Sequence, residues 1–256
     1  MKKMTLSVAA ALLIAAGSLQ AETKTSFTDR AYASVMKLAQ KGNPNALFAL
    51  GEMNYLGMGM KKDFKKALYY FMEAGQRGHK KAQFNLGYMY HNGMGAPKDY
   101  KKAMYWFQKA ADQGDPKSML YLGEMYYNGE GVPKSGRNLD KALYWFTQAS
   151  NAGYPQANFR LGEMFYEGKG VKNDLKKARE LFEKAAEQGH AGAQFYLGQM
   201  YLTGKGVHKD MKKAKRWMQE AYMNGNHDAK KVMDTYGWEV VIKKETLPGY
   251  DESHSG

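Results

Sequence analysis

The 256-residue sequence contains no cysteine. That excludes a disulfide framework, a thiolate metal site, a thiol nucleophile and a cysteine-borne lipid anchor, so stability outside a reducing compartment must come from packing. Beyond the first twenty residues no run is apolar and long enough to cross a bilayer as a helix. Catalytic signatures are missing too. The six histidines include no H-x-x-x-H pair, and no G-x-x-x-x-G-K-[ST] loop, G-x-S-x-G elbow or catalytically placed S-x-x-K is present. What is present is 44% apolar residues and an aromatic set of 19 Tyr, 11 Phe and 4 Trp, enough to build a continuous core.

The first 21 residues, MKKMTLSVAAALLIAAGSLQA, open on Lys2 and Lys3, run apolar from Leu6 to Ala16 and give way to a polar segment. This layout predicts a secretory signal peptide cut after Ala21, and a protein that works in the periplasm or outside the cell. Leu19 is larger than the small residue usual three positions before the cut. Removing Lys2 and Lys3 from the 38 basic residues leaves 36 against 25 acidic ones, a net charge of +11. A negatively charged partner or surface is therefore expected.

Self-similarity dominates the remainder. The segment ALFALGEMNYLGMGMKKDFKKALYYFMEAGQRG, from Ala46, returns as AQFNLGYMYHNGMGAPKDYKKAMYWFQKAADQG from Ala82, and again from Ser118, Ala157 and Ala193. Leu-Gly pairs place glycines at 51, 87, 123, 162 and 198, a spacing of 36, 36, 39 and 36 residues. The three extra residues fall between Gly131 and Ala142, where VPKSGRNLD reads as a loop. A fixed period of this length indicates stacked supersecondary units.

Each unit reads as helix, turn, helix. Phe84, Leu86, Met89 and Tyr90 recur at helical spacing, as do Ala103, Trp106, Phe107, Ala110 and Ala111. Gly93 and Gly95 supply the turn between them. Asp63, Asp99, Asn138, Asp174 and Asp210 stand where the second helices need an N-cap. A glycine in mid-helix costs roughly 1 kcal/mol against alanine. Five of them in one column imply close approach of the neighbouring helix.

These residues resemble the Sel-1-like repeat family, a relative of the tetratricopeptide repeats. Its pattern, roughly A-x-x-x-LG-x-x-Y-x-x-G-x-G-V-x-x-D-x-x-KA-x-x-W-[FY]-x-x-AA-x-x-G, is matched over about residues 46–225. Asn54 departs from its tyrosine, Met60 and Ala96 from its valine, Tyr70 and Leu181 from its tryptophan, and Gly75, Ser150 and Tyr222 from its second alanine. The resemblance implies an all-α fold, a right-handed α/α solenoid of five helix-turn-helix repeats with half-repeat caps. The expected organisation is a signal peptide over 1–21, a capping helix within 22–45, repeats at 46–81, 82–117, 118–156, 157–192 and 193–225, a second capping helix within 226–242, and a polar tail over 243–256.

By analogy with related solenoids, the first helices line a groove. Positions two before and one after the repeated glycine vary between units, as does the position one turn further on. The candidate partner-binding residues are Tyr88, His91, Tyr121, Glu124, Tyr127, Arg160, Glu163, Tyr166, Tyr196 and Gln199. Tyrosine and arginine among scattered acids suit protein recognition, although such tyrosines equally pack between helices. A second candidate surface is a basic ridge at Lys65, Lys101, Lys176 and Lys212. Cations in a first helical turn oppose the macrodipole, so these residues either solubilise a face or meet an anionic partner, an acidic protein or an envelope surface. Nucleic acid is not expected, no cofactor or metal is implied, and the acids recur as columns rather than as one asymmetric catalytic constellation. The resemblance implies an exported scaffold that binds a partner protein. The alternatives are a periplasmic immunity protein that neutralises a toxin and, far less supported, a cell-wall or β-lactam hydrolase.

Overall fold

A computed structural model describes residues 32–132 and 136–239. The signal segment, the start of the N-terminal cap and the polar tail lie outside these residues. Within them the fold is an all-α helical repeat. Residues 32–40 are helical. They are followed by α1 (Pro44–Leu56), α2 (Phe64–Gln76), α3 (Lys80–Asn92), α4 (Tyr100–Ala111), α5 (Pro116–Asn128), α6 (Leu139–Asn151), α7 (Pro155–Glu167), α8 (Leu175–Glu187), α9 (Ala191–Thr203), α10 (Met211–Met223) and α11 (His227–Thr235). The chain forms two compact units, one through Ala157 and one from Asn158.

Local chemistry fixes both ends of each helix. The second helices are capped by the side chains of Asp63, Asp99, Asn138, Asp174 and Asp210, each accepting from the backbone N–H three residues on. The first helices of the second and fifth repeats use histidine instead. His79 Nδ1 accepts from the Ala82 N–H and His190 Nδ1 from the Ala193 N–H, with the imidazoles stacked on Phe48 and Phe159 at 4.3 and 4.4 Å. Burial, and then the charge of Lys81, lowers the His79 pKa and so favours the neutral ring that can accept this bond. Each first helix stops at a left-handed glycine, such as Gly93 at φ 71°. The turn is then closed by one hydrogen bond of 2.9–3.0 Å from the N-cap N–H to a carbonyl near the end of the first helix: Asp63 to Asn54, Asp99 to Tyr90, Asn138 to Tyr126, Asp174 to Phe165 and Asp210 to Tyr201.

Packing explains the mid-helix glycines. A Cβ on Gly51, Gly87, Gly123 or Gly162 would lie within 2.4–2.5 Å of the ring of Phe71, Phe107, Phe146 or Phe182, respectively, each a buried side chain of the paired second helix. Gly198 faces Met218 in the same way. Buried Leu50, Leu86, Leu122, Leu161 and Leu197 and a methionine column (Met53, Met89, Met125, Met164, Met200) complete the seam. Two buried glutamines tie successive repeats. Gln83 donates to the Gly75 carbonyl at 2.9 Å and accepts from Gln113 at 2.7 Å, and Gln194 donates to Ala186 and accepts from Asn224.

Candidate functional site

In the first unit, the predicted stripe residues Tyr88, His91, Tyr121, Glu124 and Tyr127 are all half-buried. Tyr121 is the best anchored. Its ring stacks on Phe107 at 4.8 Å and 17°, and meets Tyr88 and His91 edge-on at 6.1 and 5.9 Å. Burial, with the neighbouring Tyr88 and Glu124, pushes its hydroxyl up to about 12. It is both a packing residue and part of the stripe. His91 Nε2 meets Glu130 Oε2 at 2.9 Å, while His91 Nδ1 is buried without a hydrogen-bond partner.

In the second unit, Arg160, Glu163, Tyr166, Tyr196 and Gln199 are again half-buried. Arg160 Nη1 lies 3.1 Å from Glu163 Oε2, yet burial outweighs that cation and raises the Glu163 pKa. Tyr196 stacks on Phe182 at 4.9 Å and meets Tyr166 edge-on at 5.4 Å. Burial and then the charges of Glu163 and Glu167 push it up to about 12, and it also shares a hydrogen bond with Glu163. Gln199 uses its backbone carbonyl to accept from the Thr203 hydroxyl at 2.8 Å.

One set of stripe residues is not evident from the helices alone. The middle residue of the Gly-x-Gly turn reaches back to the first helix of the preceding repeat. The Tyr55 hydroxyl approaches Met94 Sδ at 3.8 Å, His91 meets Glu130, and the Lys205 ammonium sits 3.9 Å above the Tyr166 ring. The pairs share a separation of 39 residues. The signal in the sequence is a variable residue, Met, Glu or Lys, held between two left-handed glycines.

The lysine row has two layers. Lys66, Lys102, Lys177 and Lys213 donate their backbone N–H to the capping aspartates. Three of their ammonium groups also lie over aromatic rings of the first helices, Lys102 over Tyr90, Lys177 over Phe165 and Lys213 over Tyr201. The preceding Lys65, Lys101, Lys176 and Lys212 are exposed, and none makes an ion pair among the described residues. Asp140 takes this position in the third repeat. Among the described residues no group of three or more acids or histidines could hold a metal ion, and no helix is long and apolar enough to cross a membrane.

The Sel1 repeat pattern matches residues 44–79, 80–115, 116–154, 155–190 and 191–226. The chain belongs to the Sel1 repeat family. It is similar to a protective antigen present in uropathogenic Escherichia coli strains, with 34% identity over 81% of this chain and 44% of that one and a TM-score of 0.74. It is also similar to a Sel1 repeat protein from Oxalobacter formigenes, with 33% identity over 82% of this chain and 60% of that one and a TM-score of 0.72. The chain thus spans less than two-thirds of the length of either relative. No curated protein matches it significantly.

Proposed function

We propose that this Sel1 repeat protein is an exported, non-catalytic scaffold that recognises a partner protein through the stripe of its first helices. The observation that carries the reading is the contrast between framework and stripe. Gly, Leu, Ala and Phe columns repeat almost unchanged, while the half-buried stripe changes from tyrosines with a His91–Glu130 pair to an Arg160–Glu163 pair with Tyr166 and Tyr196. Rigid aromatic rings offer contact area at small entropic cost, and charged pairs beside them set register. The signal-like first 21 residues and the net positive charge favour an envelope partner with acidic surface.

The test is capture from the envelope fraction of the producing organism, comparing the parent with an Glu124→Lys, Arg160→Glu, Gln199→Lys variant. None of these substitutions replaces a ring of the Tyr121–Phe107 or Tyr196–Phe182 stack, and circular dichroism of the variant checks that its fold is kept. One protein retained by the parent and lost with the variant supports the reading, and a captured toxin would specify it as immunity. Identical material on both, released by moderate salt, refutes it.

A further inference from the structure

The outward face of the first unit carries a feature that stripe recognition does not use. Tyr69, Tyr105 and Tyr144 are 60%, 54% and 56% exposed, and they occupy the same position in α2, α4 and α6. Each stands two residues before the buried phenylalanine of its helix, about 200° around the axis, and so faces away from the core. Each ring is steadied edge-on by the next side chain, Tyr70, Trp106 or Trp145, at 5.0–5.3 Å. One turn earlier lie Lys65 and Lys101, both exposed and without a carboxylate partner among the described residues, with Asp140 at the corresponding place before Tyr144, so the basic contacts belong to the first two rungs; Lys109 lies 5.6 Å from the Tyr105 ring. In the second unit Glu180 and Arg216 hold this position, the latter paired with Glu220 at 2.8 Å. The tyrosine ladder is confined to three consecutive repeats.

We propose that this ladder binds an acidic polysaccharide, with pyranose faces laid on the tyrosine rings and uronate carboxylates met by Lys65 and Lys101. The form of the surface selects this class. Protein hot spots cluster around a centre, whereas here a single ring recurs once per repeat along a line, as a polymer with a translational period requires. Stacked bases follow one another at about 3.4 Å, while second helices of successive repeats stand apart by at least a helix-packing distance of about 8–10 Å, a step suited to a disaccharide. A lipid surface would call for aliphatic residues around the rings. Instead Glu73, its charge paired with Arg77 at 2.7 Å, Lys109 and Gln148 lie one turn beyond them, a polar surround in which hydroxyls find hydrogen-bond partners.

Affinity electrophoresis of the full chain through gels containing polygalacturonate or neutral dextran tests the proposal. The parent is expected to be retarded by polygalacturonate and not by dextran. The Tyr69→Ala, Tyr105→Ala, Tyr144→Ala variant should lose affinity about tenfold or more, and Lys65→Gln with Lys101→Gln should weaken it and flatten its salt dependence. The corresponding triple Tyr→Phe variant keeps the ring faces and should bind like the parent, which separates loss of stacking from loss of fold. The stripe variant Glu124→Lys, Arg160→Glu, Gln199→Lys should bind as the parent does, so the two readings fail independently. The proposal is overturned by no retardation at low salt, by equal retardation of the triple Tyr→Ala variant, by equal tyrosine-dependent binding of polyglutamate, or by a tyrosine-dependent dimer that accounts for the retardation.

Discussion

Replacing Gly87 by alanine tests whether the glycine column is there for packing. Helix propensity alone favours the change by about 1 kcal/mol. Against it, the new Cβ would lie 2.5 and 2.6 Å from Cδ1 and Cε1 of Phe107. Carbon atoms in good contact sit about 3.5–4.0 Å apart, so the ring would have to retreat by about 1 Å. Phe107 has no room for that. It is fully buried, stacked on Tyr121 at 4.8 Å and tilted against Phe84 at 5.9 Å. Overpacking of this kind costs about 1–3 kcal/mol, here near the upper end, which leaves a net loss of about 1–2 kcal/mol after the propensity gain. Gly198→Ala is the internal control, because its Cβ would meet the Cε, Cγ and Sδ of Met218 at 2.9–3.1 Å, atoms of a flexible thioether that can turn aside. Its stability should stay within about 1 kcal/mol of the parent, on either side. Urea unfolding followed by circular dichroism gives the shift in midpoint at constant slope. A Gly87→Ala midpoint at or above the parent's, or a Gly198→Ala midpoint that falls as far as that of Gly87→Ala, refutes the reasoning.

Three further outcomes follow from the same geometry. Gln83→Leu removes one hydrogen bond to the Gly75 carbonyl and one from the Gln113 amide, while Gly75 still accepts from the Gly78 N–H and Gln113 still donates to the Gly78 carbonyl, and should cost about 0.5–1.5 kcal/mol in the same unfolding assay. Asn138→Ala removes the oxygen that accepts from the Lys141 N–H, and should cost about 1 kcal/mol, whereas Asn138→Asp should restore the cap. His79 has a pKa lowered from 6.5, so its stabilising contribution is complete above the unfolded value and is lost as pH falls through the folded one. The melting temperature of the parent should therefore fall, relative to His79→Asn, as pH drops from about 7.5 to 5, and parallel curves for the two proteins would contradict this.

The repeat framework was legible because its signals are local. Leu-Gly spacing, Gly-x-Gly turns and capping aspartates each act within a few residues, and the structure uses them as their chemistry dictates. The partner of each mid-helix glycine is a long-range fact. That Gly87 receives a phenylalanine edge and Gly198 a methionine depends on which side chain of the paired helix points inward. Tyr121 shows why single stripe residues were ambiguous: the ring is clamped by Phe107 from the preceding repeat and also borders the stripe, so composition alone could not choose between the two roles. Glu130 and Lys205 are not legible as stripe residues in the sequence, because a turn residue between two glycines looks like spacer until its reach across 39 residues is visible. The exposed tyrosines were obscured by their neighbours. In Tyr105-Trp106-Phe107 only the angular distance from the buried ring marks the first as outward.

The hydrogen bond that closes each inter-helix turn has a practical corollary. Asn138 donates to the Tyr126 carbonyl at the same 2.9 Å as Asp99 does to Tyr90, although three more residues separate the two helices of the third repeat. The latch fixes where the second helix starts and leaves the length of chain before it free, and each added residue costs little closure entropy. The stretch between Gly131 and Asn138 is thus a natural graft port, where a foreign peptide or a reporter could be spliced in while the helices on either side keep their alignment.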